Sequence, residues 1–275
     1  MATVMTATGP IASDQLGFTL THEHVFADFS TGPYQWSNTL YQPEVVYEEL
    51  MRFKNAGGST VVDMTSGGIR EIDPAVFPWK QPEAVKEMAE RTGLTIVLGT
   101  GWFREPFYDP YVYQARTDQI ADDIVRDLTE GIDGTDVRAG VIGEIGAEHS
   151  TWILPQEERV LRAAARAQKQ TGVSLATHAS AGPVGLYQLD LLEEEGVDLN
   201  RVIIGHAHMN PDHEYHAEIA RRGAFISFDG MGTLEGGNEY ERQRLLGIIR
   251  QVLDAGLIGH LLFSHDVCYR SMYHA

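Results

Sequence analysis

One stretch of the sequence contains the unit from which the whole chain is built: PQEERVLRAAARAQKQTGVSLATH, residues Pro155–His178. Its first part, Pro155–Thr171, starts with proline and places apolar residues at helical spacing, which predicts an amphipathic helix. Gly172 follows, as glycine commonly does just past a helix end, where the backbone turns left-handed. The apolar run Ser174–His178 then predicts a buried parallel strand. The unit is therefore helix, glycine, strand.

This unit recurs along the chain and predicts the fold class. Eight strands are predicted, at Gly17–His22, Thr60–Met64, Thr95–Gly99, Gly140–Ile145, Ser174–His178, Val202–His206, Ala224–Phe228 and Leu261–Ser264. Seven helices are predicted between them, at Pro43–Ala56, Gln81–Thr92, Thr117–Glu130, Pro155–Thr171, Pro183–Glu195, Pro211–Arg222 and Glu239–Ala255. Such alternation predicts an α/β protein, the TIM (β/α)8 barrel, with an open doubly wound sheet as the alternative. No Pro- or Ser-rich linker interrupts the series, so residues 1–275 are expected to form one barrel domain.

The count of helices falls one short of the barrel. A helix that packs over the first and last strands is expected after Asp266, but the sequence ends at Ala275. We therefore expect either an unusual natural end or a chain that lacks its eighth, C-terminal helix.

Composition restricts the class of protein. Among 275 residues, Lys and Arg number 21 and Asp and Glu 39, so the net charge is −18. This acidity argues against a protein that binds nucleic-acid backbones or anionic membranes. The single cysteine, Cys268, excludes a disulfide framework and cysteine-rich zinc sites. No signal peptide is recognisable in the first fifteen residues, and no apolar run reaches the roughly 18–20 residues of a membrane span, so a cytoplasmic protein is expected.

Histidines and acids lie where the predicted strands end. His22 and His24 lie at the end of strand one and Glu144 at the end of strand four. His178 and His206 end strands five and six, and Asp266 follows strand eight. TIM barrels carry their active sites at the carboxyl ends of their strands. Imidazole and carboxylate are ligands of Zn²⁺, Mn²⁺, Co²⁺ and Fe²⁺. The sequence therefore predicts a metal site.

Six donors are too many for one tetrahedral ion and suit two ions about 3.5–4 Å apart. In the expected layout, one ion is held by His22, His24 and Asp266. The other is held by His178 and His206, with Glu144 and a hydroxide spanning both. Asp266 is also the predicted catalytic proton acceptor. Zinc is the expected metal, with manganese, cobalt or iron as alternatives.

The motifs around these donors are more specific than the donors alone. They are LGFTLTHEH at 16–24, GVIGEIG at 140–146, THASAG at 177–182, IGH at 204–206 and FSHD at 263–266. Together they resemble the phosphotriesterase family of the amidohydrolase superfamily, from about residue 7 to about residue 270. The resemblance implies a binuclear metal hydrolase on a distorted TIM barrel, usually a homodimer, acting on lactones, phosphorylated sugar lactones or organophosphate triesters.

Two positions depart from the family pattern. Many members bridge the metals with a carboxylated lysine where this chain has Glu144, so the chain resembles the homology-protein branch of the family. Active members often carry an aspartate two residues after the strand-six histidine, as part of a proton relay. Here that residue is His208.

Candidate substrate-binding residues follow strand three and strand eight. Trp102 and Tyr108 could stack on a substrate ring or donate to a carbonyl oxygen, or could simply pack the loop. Arg104 and Arg270, together with Arg70, could bind a phosphate or carboxylate, or could be surface charges.

The predicted function is hydrolysis of an ester, foremost a lactone, by a metal-bridging hydroxide. The expected partner is a small ester or lactone, without nucleic acid or membrane. One alternative is a TatD-like metal-dependent nuclease, which also has a His-x-His and a Gly-Glu-Ile-Gly motif but should carry basic residues around its site. The other is a metal-binding protein that has lost catalysis.

Overall fold

Eight parallel strands form the centre of the molecule. The computed structural model describes residues 2–31, 35, 38–180, 182–232, 234 and 237–273. In chain order its strands are β1 (Thr3–Thr6), β2 (Gly9–Ala12), β3 (Thr19–Glu23), β4 (Ala27–Asp28), β5 (Thr39–Leu40), β6 (Thr60–Asp63), β7 (Thr95–Thr100), β8 (Val141–Ala147), β9 (Leu175–Ala179), β10 (Val202–Ile204), β11 (Phe225–Phe228) and β12 (Leu261–Phe263). The barrel sheet runs in sequence order from β3 through β6–β12, whereas β1–β2 and β4–β5 are small antiparallel pairs.

The barrel is nearly closed, because bonds beyond the strand ladder join its first and last strands. The His22 backbone N–H donates to Ser264 Oγ at 2.9 Å, and the Asp266 N–H donates to the His22 carbonyl at 3.2 Å. Inside the barrel, Met64, Val97, Val141 and Ala176 form a small apolar cluster. The TIM-barrel prediction is confirmed, and all eight predicted strands occur.

Helices pack around the sheet as the sequence predicted. They are α1 (Pro43–Asn55), α2 (Gln81–Thr92), α3 (Pro110–Gln114), α4 (Thr117–Thr129), α5 (Pro155–Thr171), α6 (Val184–Glu194), α7 (His213–Arg221) and α8 (Glu239–Asp254). The short α3, in the loop after β7, was not predicted. Gly172 has φ +71° and accepts the left-handed turn after α5, where another residue would be strained. Within the described ranges, no helix has the length and apolar character needed to cross a bilayer.

A large cavity borders β3 and α1. Between β12 and Tyr273, the last described residue, the chain forms one 3₁₀ turn at Arg270–Met272. The cavity, about 890 Å³ in volume, is lined on one side by apolar residues such as Leu20, Leu50 and Phe53. On its other side it reaches His24, His206 and Asp266, so it connects the carboxyl ends of the strands with the face of α1.

A buried carboxylate ties two loops to the start of α5. Glu157 is fully buried, and its Oε1 accepts the backbone N–H groups of Glu148 at 2.7 Å and Glu105 at 3.3 Å. Its Oε2 accepts the N–H of Leu154 at 3.0 Å, in the manner of a helix cap. Glu157 therefore holds the loops after β7 and β8 against each other.

We expect Glu157→Ala to destabilise the fold by about 2–4 kcal/mol, because three backbone donors lose a charged acceptor. The free energy of unfolding in urea measures this. Glu158→Ala is the matched control, since Glu158 is 45% exposed and pairs only at the surface with Arg162. Its cost should stay below about 1 kcal/mol. Equal losses in the two variants would contradict the role given to Glu157.

Candidate metal centre

The structure brings the six predicted donors together at one end of the barrel. His22 lies in β3, Glu144 in β8 and His178 in β9, while the other three follow the ends of β3, β10 and β12. His22, His24, Glu144 and His206 are buried, whereas His178 and Asp266 keep 16% and 24% of their side-chain surface exposed. The cluster therefore opens to solvent on the side of His178 and Asp266.

Glu144 is the centre of the cluster, and each of its carboxylate oxygens faces a different pair of histidines. Oε1 lies 2.5 Å from His178 Nδ1 and 2.9 Å from His206 Nε2. Oε2 lies 3.4 Å from His22 Nε2 and 3.7 Å from His24 Nε2. One carboxylate thus spans the two groups of donors that the sequence assigned to separate ions.

Asp266 lies beside the pair from strand one. Its Oδ1 is 3.5 Å from His24 Nε2 and 3.8 Å from His22 Nε2, while its Oδ2 is 3.8 Å from His206 Nδ1. Asp266 has φ +53°, a left-handed conformation that is uncommon outside glycine. Uncommon backbone of this kind is found at functional sites when the surrounding structure enforces it.

Glu23 helps to enforce the position of Asp266, and the sequence analysis missed it. This buried acid accepts the Ser264 hydroxyl at 2.6 Å and the backbone N–H groups of His265 at 2.7 Å and Val267 at 3.0 Å. The residues on both sides of Asp266 are therefore bound to β3. In the sequence, Glu23 could have been recognised by its position between the two histidines of the His-Glu-His motif.

Asp229 is a second missed acid, directly after β11. It is fully buried and accepts two bonds from His206, at 2.9 Å from Nδ1 and 2.9 Å from the backbone N–H. Its oxygens also lie 3.5 Å from His22 Nδ1 and 3.3 Å from His208 Nδ1. A carboxylate behind a metal-ligating histidine fixes the ring and its tautomer. An acid at a strand's carboxyl end was the signal that could have identified it.

Asp63 plays a similar part behind His24. Its Oδ1 accepts the Thr65 hydroxyl at 2.6 Å, and the Thr65 Oγ1 lies 3.0 Å from His24 Nδ1. Gln81, at the start of α2, donates to the other Asp63 oxygen at 3.0 Å. The Nε2 atom of His24 is thereby turned toward Glu144 and Asp266.

The charges in the cluster are strongly coupled. Burial would raise the pKa of Glu144, but the nearby charges of His178 and His22 hold that pKa well below its ordinary value. Burial lowers the pKa of His22, yet Glu144, Asp229 and Asp266 raise it to about 9. Glu144 is therefore ionised, and metal binding must compete with the proton on His22.

The residues fit divalent ions. His22, His24 and Asp266 present ligand atoms within 4.8 Å of one another, and so do His22, Glu144 and His206. The His22 Nε2 atom is buried without a hydrogen-bond partner among the described residues, and His178 Nδ1 lies 2.7 Å from His206 Nε2. Two ring nitrogens so close require a shared proton or cation between or beside them. Imidazole and carboxylate donors are those of zinc and its neighbours.

The predicted aromatic substrate residues pack within the loop after β7. The Trp102 ring stacks on Tyr111 at a centroid distance of 5.8 Å. Tyr108 is buried in the main hydrophobic core, and burial raises the pKa of its hydroxyl well above the ordinary value. Their role in substrate binding stays a prediction.

The three arginines lie in different surroundings. Arg270 is exposed in the 3₁₀ turn after β12. Arg70 is buried and pairs with Asp133, with its Nε 3.0 Å from Oδ2. Arg104 forms an ion pair with Glu148 beside the His178 side of the cluster.

His208, at the position of the relay acid, lies against Asp229. A Cβ atom on Gly230 would come within 2.3 Å of His208 Nε2, so this glycine makes room for the ring. His208 also lines the cavity that reaches His24 and Asp266.

Known proteins resemble this chain in sequence and in fold. The model of the phosphotriesterase family matches residues 2–275. The phosphotriesterase homology protein of Escherichia coli K12 is 30% identical over 258 residues, which cover 94% of this chain and 84% of that protein. Its crystal structure, complexed with phosphate in the active site, superposes with a TM-score of 0.83 at 30% identity, covering 94% of this chain and 85% of that chain.

Two further relatives have other activities in their names. The N-acetyltaurine hydrolase of Danio rerio is 28% identical over 307 residues, covering 96% of this chain and 84% of that protein. A lactonase from Listeria monocytogenes has a TM-score of 0.86 at 26% identity, covering 99% of this chain and 84% of that chain. The chain therefore belongs to the phosphotriesterase family, whose enzymes are metal-dependent hydrolases.

Proposed function

We propose that this protein is a binuclear metal-dependent hydrolase that opens a lactone or a related carboxylic ester. The observation that carries the proposal is the position of Glu144, whose two oxygens face two separate histidine pairs. His22, His24 and Asp266 would hold one ion, and His178 and His206 the other. Zinc as the metal, the homodimer and the cytoplasmic location stay predictions of the sequence.

The chemistry that two bound divalent ions supply is a lowered pKa of water and a polarised carbonyl oxygen. Asp266 would accept the proton of the attacking water at a carboxylate oxygen. It suits this task because it is the most exposed of the six donors, with 24% of its side chain accessible. Burial opposes its ionisation, but a bond from His24 and the charges of His206 and His22 hold its pKa below the ordinary value.

A small molecule fits the space beside the cluster. The cavity of about 890 Å³ is within the usual size range for small-molecule sites, and it reaches His24, His206 and Asp266. The relative from Listeria monocytogenes is a lactonase, which supports an ester substrate. The relative from Danio rerio hydrolyses an amide, N-acetyltaurine, so amide hydrolysis is the second candidate.

Removing one histidine from either proposed ion site should remove one ion and leave the other bound. The metal-replete protein is expected to hold about two ions per chain, and His24→Ala and His178→Ala about one each. Elemental analysis after gel filtration measures this. His213→Ala is the control, because His213 is 62% exposed on α7. Fewer than about one ion in the replete wild-type protein would favour the non-catalytic alternative.

Asp266→Asn should lower kcat for lactones by about 100- to 10,000-fold, because the amide cannot accept the proton. The assay is a panel of γ- and δ-lactones, with N-acetyltaurine and DNA as comparison substrates and metal content measured on the same samples. Wild-type turnover in a fully loaded variant would exclude Asp266 as the proton acceptor. DNA cleavage that rises with added metal, without lactone turnover, would contradict the proposed function.

Asp229→Asn should weaken metal binding by about 10- to 100-fold, because His206 loses the acceptor that orients its ring. Competition with a chromogenic chelator measures the affinity without any assay of turnover. Asp127→Asn is the control: Asp127 is another acid with little exposure, 16% of its side chain, but it pairs with Arg70 and Thr100. An unchanged affinity in Asp229→Asn would show that His206 is oriented without it.

A further inference from the structure

Arg104 lies one aromatic ring away from the metal centre. Gly146 pairs in register with His178, and a Cβ atom on Gly146 would come within 2.9 Å of the Arg104 Cβ. The Phe103 ring meets the His178 ring edge-on at 5.0 Å between centroids. The Arg104 Cζ atom lies 5.0 Å from the centroid of the same Phe103 ring and 5.0 Å from that of Phe107. The rings of Phe103 and Phe107 therefore hold the guanidinium in place beside His178.

The charge of Arg104 acts on the cluster. Burial lowers the pKa of Arg104, and the charge of Glu144 is the largest influence that opposes this. Burial lowers the pKa of His178, and the charge of Arg104 acts in the same direction, whereas Glu144 opposes it. Because the Phe103 ring contacts both His178 and Arg104, the guanidinium lies on the His178 side of the cluster, where the cluster opens to solvent.

The partner of Arg104 is a carboxylate that a substrate could replace. Glu148, the first residue after β8, pairs with Arg104 while the two side chains keep 31% and 24% of their surface exposed. The Arg104 Nε atom is buried and has no hydrogen-bond partner within the described part of the chain. Glu157 holds the backbone of Glu148 and of Glu105, so the two loops stay together if the pair opens.

We infer that Arg104 binds an anionic group at the end of the substrate remote from the scissile bond, and that Glu148 occupies this position until the substrate displaces it. The inference rests on the proposed function and narrows its substrate class. The substrate is an ester, lactone or amide that carries a carboxylate, sulfonate or phosphate. A planar guanidinium binds such groups through two parallel hydrogen bonds, and the rings of Phe103 and Phe107 keep its plane in place.

Binding of dicarboxylates tests the inference without turnover. Succinate, glutarate and adipate are titrated calorimetrically into the metal-loaded protein, each against the monocarboxylate of equal length. Arg104→Met should weaken the binding of the tightest dicarboxylate by about 10- to 100-fold. It should change the binding of the matching monocarboxylate by less than about twofold. Glu148→Gln should strengthen the binding of the dicarboxylate by about two- to fivefold, because the glutamine carries no charge with which to compete for Arg104.

Control variants separate binding from structure. Arg162→Met removes another part-buried arginine, one that pairs with Glu158 of α5 and with Glu194 and Glu195 at the end of α6. It should leave the binding of both ligand classes unchanged. Arg104→Lys keeps the charge without the planar fork and should give an intermediate affinity. Equal weakening of both ligand classes in Arg104→Met, or weaker binding in Glu148→Gln, would overturn the inference.

A matched pair of lactones connects the inference with catalysis. The 5-oxotetrahydrofuran-2-carboxylate should have a lower KM than its carboxamide in the wild-type protein, and Arg104→Met should remove that difference while kcat changes little. Absence of turnover with both lactones would count against the proposed function, whereas the dicarboxylate titration decides the role of Arg104 independently. A KM preference that survives Arg104→Met would contradict the inference.

Discussion

The buried carboxylate of Glu144 is the constraint around which the carboxyl end of the barrel is organised. It is 1% exposed, and a buried charge is stable only when opposite charges or hydrogen-bond donors surround it. The compensating groups come from β3, β9 and the end of β10, strands that lie far apart in the sequence. A nearly closed barrel brings them to one point, because every parallel strand ends on the same face. The fold and the candidate metal centre therefore depend on the same geometry.

Three further acids hold the donors of the cluster in position. Asp229 orients His206, Asp63 orients His24 through Thr65, and Glu23 binds the residues on either side of Asp266. Each of these acids is buried and comes from a strand or from the residue just after one. Their bonds reach backbone groups and ring nitrogens that face away from the centre of the cluster. The donors are thus positioned before an ion arrives, which reduces the conformational entropy lost on binding.

The strands and long helices were predictable because each is a local pattern: an apolar run, an amphipathic run or a glycine after a helix. The six donors followed, since a barrel places strand ends together. Asp229 and Glu23 were missed because their value depends on what they contact, and no spacing in the sequence shows that Glu23 meets residues 264–267. The positions of Trp102 and Tyr108 were undecided for a related reason: a loop aromatic can face a site or a core, and packing decides which.

The proposed substrate-binding group and the donor cluster belong to different parts of the molecule. The donors belong to strand ends held by the sheet, whereas Arg104 and Glu148 belong to loops whose contact depends on the absence of a side chain at Gly146 and on the carboxylate of Glu157. Loops can change without disturbing the strands beneath them. Relatives named as a lactonase and as an N-acetyltaurine hydrolase can therefore share one arrangement of strands. In the proposed function, the donor cluster would determine how a bond is broken, and the charge of Arg104 would determine which molecule stays bound for long enough to react.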